Sequence, residues 1–166
     1  TSAFLVTSSL ARNVGSSTVP NFENFEDRFR SAKSPWIVSQ KFGGKPVDLF
    51  KFHALDAGAD VATLYKISIE DITPSSDPNN RYGSFAVKVR RWSDRDSSQA
   101  LISNGESFVC DLNPTSNRYI AKVIGDLNVY HDFDRDVEEQ KIVFEGSYSN
   151  NSNYIRVEVQ IGRAHV

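Results

Sequence analysis

The stretch Tyr82-Gly83-Ser84-Phe85-Ala86-Val87-Lys88-Val89-Arg90-Arg91-Trp92 carries the strongest strand pattern in the chain, with Phe85, Val87 and Val89 alternating against Ser84, Ala86, Lys88 and Arg90. A period of two puts the three apolar side chains on one face of a sheet. They are expected to help build the core, and Gly83 to permit a tight entry into the strand. Asp94, Arg95 and Asp96 close the strand with a charged turn.

Toward the N-terminus, Pro74 to Asn80 concentrates Pro, Ser, Asp and Asn and predicts an exposed loop. Before it, Tyr65, Ile67 and Ile69 alternate with Lys66, Ser68 and Glu70, the pattern of a half-buried strand over Leu64 to Ile72. Val47 to Leu55, with Leu49, Phe50 and Phe52, predicts another strand between a Gly43-Gly44 turn and the polar loop Leu55 to Asp60. Phe22, Phe25 and Phe29 place three rings on one face of a short helix, with Pro35 forcing its end; it either covers the core or docks another subunit. Residues 1–20 carry Ser or Thr at eight positions and read as an arm or linker. That leaves 21–166 as one domain, possibly with a small outer subdomain.

Toward the C-terminus, Leu101 to Asp111 predicts a weaker strand, interrupted by Asn104 and Gly105. Asn113-Pro114-Thr115-Ser116 is a helix-start signal, and Tyr119, Ile120, Val123 and Ile124 form an apolar stripe ending at Gly125. Pro114 and Tyr119 are expected to set and anchor that helix. Asn128 to Tyr130, Ile142 to Phe144 and Tyr154 to Ile161 are further strand candidates, the last two separated by a Ser/Asn-rich turn. Strands outnumber helices and no regular βαβ repeat is visible, so the expected class is α+β, with a mixed or antiparallel β-sheet and a few short helices.

At 166 residues and 39% hydrophobic side chains the chain is long enough for one packed core. Nineteen basic and twenty-one acidic residues give a net charge of −2, which argues against a nucleic-acid binder. Cys110 is the single cysteine, so neither an intramolecular disulfide framework nor a multi-cysteine zinc site is available. The only apolar terminus, Ala3 to Val6, is too short for a signal peptide or a membrane span. A chain that begins at Thr1 and lacks methionine is expected to be part of a longer protein.

Familiar chemical motifs are absent. Asp132, Asp134 and Asp136 alternate as carboxylates around a hard cation do, but the EF-hand positions for glycine and glutamate hold Val137 and Val143. A solvated acidic loop facing a neighbour is the simpler reading, and no metal or cofactor is expected. His53, His131 and His165 lie far apart, and none has a second ligand at helix spacing. Cys110 reads as a small core residue, and no glycine cluster matches a phosphate loop. Arg90, Arg91 and Arg95 around Trp92 form the densest basic patch, countered by Asp94 and Asp96; charged surface is its simplest reading, and a protein interface the next.

Four stretches, taken together, resemble the tail sheath proteins of contractile bacteriophages: Leu49-Phe50-Lys51-Phe52-His53-Ala54-Leu55-Asp56-Ala57-Gly58, Tyr65-Lys66-Ile67-Ser68-Ile69, Tyr82 to Arg90, and Asp111-Leu112-Asn113-Pro114-Thr115-Ser116-Asn117-Arg118-Tyr119-Ile120 continuing to Asp126. In this order they span roughly residues 47–130, about half the chain. The resemblance implies a structural subunit, without enzymatic activity, that stacks around an inner tail tube, joins a baseplate and contracts to drive the tube through the host envelope. It implies a virion location, with assembly in the host cytoplasm. Its partners would be neighbouring sheath subunits, and tube and baseplate through the full-length protein, with no direct nucleic-acid contact and no membrane insertion. Family subunits are longer and exchange terminal strands, so this chain is expected to be a middle or outer portion that is monomeric alone. Arg90, Arg91 and Trp92, together with Asp132, Asp134 and Asp136, are the candidates for contacts between copies. Two other readings stay open: a β-rich module binding carbohydrate or a surface ligand through exposed aromatics, and a glycan hydrolase recruiting Asp94, Asp111 or Asp134.

Overall fold

The structure is a computed structural model that describes residues 31–39, 46–57, 60–79, 82–94, 105–132 and 135–160. The expected helix over Phe22 to Phe29, the Gly43-Gly44 turn, Arg95, Asp96 and Asp134 lie outside the described residues.

Among the described residues, nine strands and two short helices follow in the order β1 (Ser31–Lys33), β2 (Ile37–Val38), β3 (Asp48–Ala57), α1 (Asp60–Leu64), β4 (Tyr65–Thr73), β5 (Ser84–Arg91), β6 (Glu106–Asp111), α2 (Ile120–Ile124), β7 (Asn128–Asp132), β8 (Lys141–Glu145) and β9 (Ile155–Val159). All strand pairs are antiparallel, giving a β-rich α+β fold. In the first sheet β3 pairs with β9 on one edge and with the short β1 and β2 in succession on the other. The second sheet is the meander β4-β5-β6, and β7-β8 is a separate hairpin. Residues 31–33 are already extended before Pro35.

The two larger sheets meet through Phe50 and Phe85, whose rings stack with centroids 5.7 Å apart. Around them Phe52, Val87, Val89, Cys110, Ile155 and Val157 are buried, and α2 closes the cluster with Ile120, Ala121 and Ile124. Burying each of the larger apolar side chains contributes about 1.5–3 kcal/mol. The alternation read from Phe85, Val87 and Val89 thus points into the core, where Val87 and Val89 are fully buried. Burial pushes the Cys110 thiol up to about 12, so it is an inert core group at neutral pH.

The helix after Asn113 starts later than its sequence signal. Asn113 Oδ1 accepts from the Thr115 amide, Asp111 Oδ1 from the Asn113 amide, and Asp111 Oδ2 from Ser116 Oγ at 2.6 Å. Short polar side chains that cap helices also close turns on their own backbone, and here they do the second. Pro114 is an exposed turn residue and α2 begins at Ile120, one residue after the half-buried Tyr119. Gly125 ends α2 at φ 106°, where an added Cβ would also meet the Ser149 carbonyl at 2.6 Å. The Ser/Asn-rich segment that follows β8 caps the helix: Asn151 donates through Nδ2 to the Lys122 and Val123 carbonyls and through its amide to that of Ile124.

Candidate interaction surfaces

Four regions carry charged or exposed side chains that the core does not explain. The first is the face of β4-β5 turned away from the core. Glu70 accepts from Lys88 Nζ at 2.6 Å, from Ser68 Oγ at 2.8 Å and from Arg90 at 3.2 Å. Arg90 also pairs with Asp94 at 3.3 Å, and Lys66 Nζ donates to the Asp94 carbonyl. The Lys88 and Ser68 hydrogen bonds hold the Glu70 carboxyl down at about 2.

Arg90 is therefore a correction to the sequence reading. At 1% exposure it cannot serve as a surface contact. Alternation puts it across from Lys66 on the polar side of β5, where the carboxylates of Glu70 and Asp94 neutralise it. Asp94 is buried with it, and Asp111 accepts hydrogen bonds from the Asn113 amide and Ser116 Oγ within its turn.

The second region is the outer face of β3-β9. Glu158 accepts from Lys51 at 3.1 Å and pairs with His53 Nε2 at 2.7 Å, while Lys51 Nζ lies 4.4 Å from the Trp36 ring centroid. Burial lowers the His53 pKa below its usual 6.5, with Arg156 and Lys51 adding to the effect and the Glu158 hydrogen bond opposing it. Beside this face runs a polar groove of about 460 Å³, bordered by Tyr119, Tyr148, Asp126, Glu145, Arg156 and Glu158. The sequence did not mark them as a group, because they converge from three separate stretches of chain.

The third region is the β7-β8 hairpin. Cross-strand partners share a face, so Val129 with Phe144 and His131 with Ile142 line one side. Val129, Ile142 and Phe144 are 51%, 59% and 68% exposed. Nothing among the described residues covers them. The hairpin is tied to the body at its base, where Asp126 Oδ1 accepts from the amides of Ser147 and Tyr148, and Asn150 bridges both backbone groups of Leu127. At its tip Asp132 pairs with Arg135, and Asp136, Glu138 and Glu139 are exposed. Asp132 and Asp136 thus lie on one acidic tip.

The fourth region is the end of β4-β5. The Trp92 amide donates to the Leu64 carbonyl at 2.7 Å, setting these two residues side by side. Trp92 is 66% and Leu64 58% exposed, and Arg91 beside them is exposed too. Of the first interface group, Arg91 and Trp92 lie at the surface and Arg90 does not. Gly83 sits against the Thr73 backbone, where an added Cβ would overlap the carbonyl.

Among the described residues no group of three His, Cys, Asp or Glu side chains is arranged to hold a metal ion, and no helix is long and apolar enough to cross a membrane. Comparisons with known protein families, curated proteins and solved structures give no significant match.

Proposed function

We propose that this chain is a structural portion of a contractile bacteriophage tail sheath subunit, a building block that surrounds the tail tube and transmits contraction through contacts between copies. The observation that carries the reading beyond the sequence resemblance is the β7-β8 hairpin. An isolated two-stranded hairpin is only marginally stable in water, yet this one presents three large apolar side chains to solvent. Such a surface is characteristic of a part that is covered on assembly. The Glu70-Lys88-Arg90-Asp94 network, in which Arg90 and Asp94 are buried, supports the same reading by stiffening the β4-β5 pair, as a subunit moving nearly as a rigid body requires.

The test is negative-stain electron microscopy of the protein encoded by the gene that contains this stretch, expressed alone. Hollow tubes or stacked rings support a sheath; dispersed, folded particles count against it. The groove beside Tyr119 and Tyr148 favours a second reading, a module that binds a sugar against these rings and the flanking carboxylates. Saturable glycan binding lost in Tyr148→Ala, with dispersed particles in the microscope, would favour that reading over the first.

A further inference from the structure

The groove beside β9 is bordered by polar groups that the fold leaves without partners. Along this strand the Gln160 amide donates to the Leu49 carbonyl and the Leu55 amide to the Tyr154 carbonyl, so alternate residues bond to β3 while Val157 and Val159 turn their backbone groups away from it. The Val157 amide is taken by the Gly125 carbonyl. The amide and carbonyl of Val159, which lines the groove, have no partner among the described residues. Arg156 is half-buried in the same groove and makes no hydrogen bond or ion pair among the described residues. Burial pushes its pKa below the ordinary arginine value, and the charges of Glu158, Glu145 and Asp126 oppose that shift.

These groups discriminate among ligands. An added peptide strand needs a run of free edge, but with the Val157 amide engaged only the Val157 carbonyl and the two groups of Val159 remain, far short of a usual strand of about five or six residues. Glu158 is already paired with Lys51 and His53, which sets Arg156 against Asp126 and Glu145. Those two carboxylates repel an anion drawn to Arg156, and Arg156 repels a cation drawn to them. Both also keep acceptors: Asp126 spends only Oδ1 on the Ser147 and Tyr148 amides, and Glu145 only Oε1 on the Tyr130 hydroxyl. An uncharged ligand that donates and accepts many hydrogen bonds suits this set, and about 460 Å³ falls within the range of small-molecule sites.

We propose that the groove binds an uncharged saccharide with Arg156 as its anchor, the guanidinium donating to neighbouring hydroxyls and Asp126 Oδ2 and Glu145 Oε2 accepting from them. The planar fork of an arginine matches two adjacent oxygens, and hydroxyls bonded to it replace the water that burial removes. Tyr119 and Tyr148 bound the apolar face of the sugar ring. The inference rests on the second reading of the groove, as a sugar site, and does not depend on whether copies of the chain assemble.

The test is saturation-transfer NMR of the chain with lactose, cellobiose and maltose as neutral probes and the dimers of galacturonic acid and of glucosamine as charged ones. The expected result is saturable binding of at least one neutral disaccharide, several times tighter than either charged dimer. Arg156→Gln should weaken it about tenfold or more and Arg156→Lys less, while Glu145→Ala should weaken it about threefold. Glu145 is exposed, so its variant carries the test if Arg156→Gln fails to fold, and Glu139→Ala at the exposed hairpin tip should leave binding unchanged. Binding of no probe, a charged dimer bound as tightly as the best neutral one, or an affinity indifferent to both Arg156→Gln and Glu145→Ala overturns the proposal. A charged dimer preferred over the neutral ones and lost in Tyr148→Ala would remove the uncharged class and leave the sugar reading standing; binding of no probe removes both.

Discussion

In the pair β3-β9, Phe52 and Ala54 lie opposite Val157 and Ile155, and none of the four is more than 6% exposed. In the pair β7-β8, Val129 and Phe144 lie opposite each other in the same antiparallel geometry, and both are more than half exposed. The difference lies in what lies across from each apolar face: β3-β9 packs on β5 through Phe50 and Phe85 and on α2 through Ile124, whereas no strand or helix among the described residues covers the hairpin. Alternation makes a face; a second layer makes a core.

The sharpest way to break this comparison is to truncate one side chain in each pair. Phe52→Ala should cost about 3–5 kcal/mol of stability, the scale for removing a buried ring and leaving a cavity. Asp94→Ala should follow at about 3 kcal/mol, because it removes one of the two carboxylates that neutralise the buried Arg90. Both losses are read from urea unfolding midpoints at fixed slope.

Acid should act next. The Glu70 carboxyl is held at about 2 against 4.5 unfolded, so the folded state binds fewer protons than the unfolded one in that interval. Its contribution is complete above pH 4.5 and is lost as pH falls toward 2. Glu70→Gln should therefore lose less stability than the unaltered chain over that window, which thermal melts at a series of pH values would show. The smallest effect belongs to the hairpin: Phe144→Ser should change stability by no more than about 0.5 kcal/mol, as substitutions at uncovered sites usually do. A loss there comparable to that of Phe52→Ala would mean that the hairpin is part of the core.

Much of the fold was legible because period-two patterns are local. Tyr65-Ile67-Ile69, Phe85-Val87-Val89 and Ile155-Val157-Val159 each identified a strand, and each contributes to the core or packs against it. Asn113 to Ser116 misled because the hydroxyl and amide groups that cap a helix close a turn equally well. The short β1 and β2 carry too few residues to show a period, and they exist only through pairing with β3. Of the candidate surface, Arg91, Trp92, Asp132 and Asp136 could be picked out as charged or aromatic residues at strand ends and in the segments beside them. The burial of Arg90 could not, since it depends on Glu70, twenty residues away, sitting beside it across the sheet. The apolar ridge was also hidden: Val129, Ile142 and Phe144 look like any half-buried strand until the fold leaves them uncovered.

Hydroxyl-radical footprinting of the encoded protein, assembled and dispersed, tests most directly whether these exposed apolar residues are the contacts of a self-assembling subunit. Phe144, Ile142 and Trp92 should lose most of their labelling on assembly, while Phe52 stays protected and Pro78 stays labelled in both states. Equal labelling of Phe144 and Trp92 in the two states, or a protein that forms no assembly under any folding condition, would contradict the account.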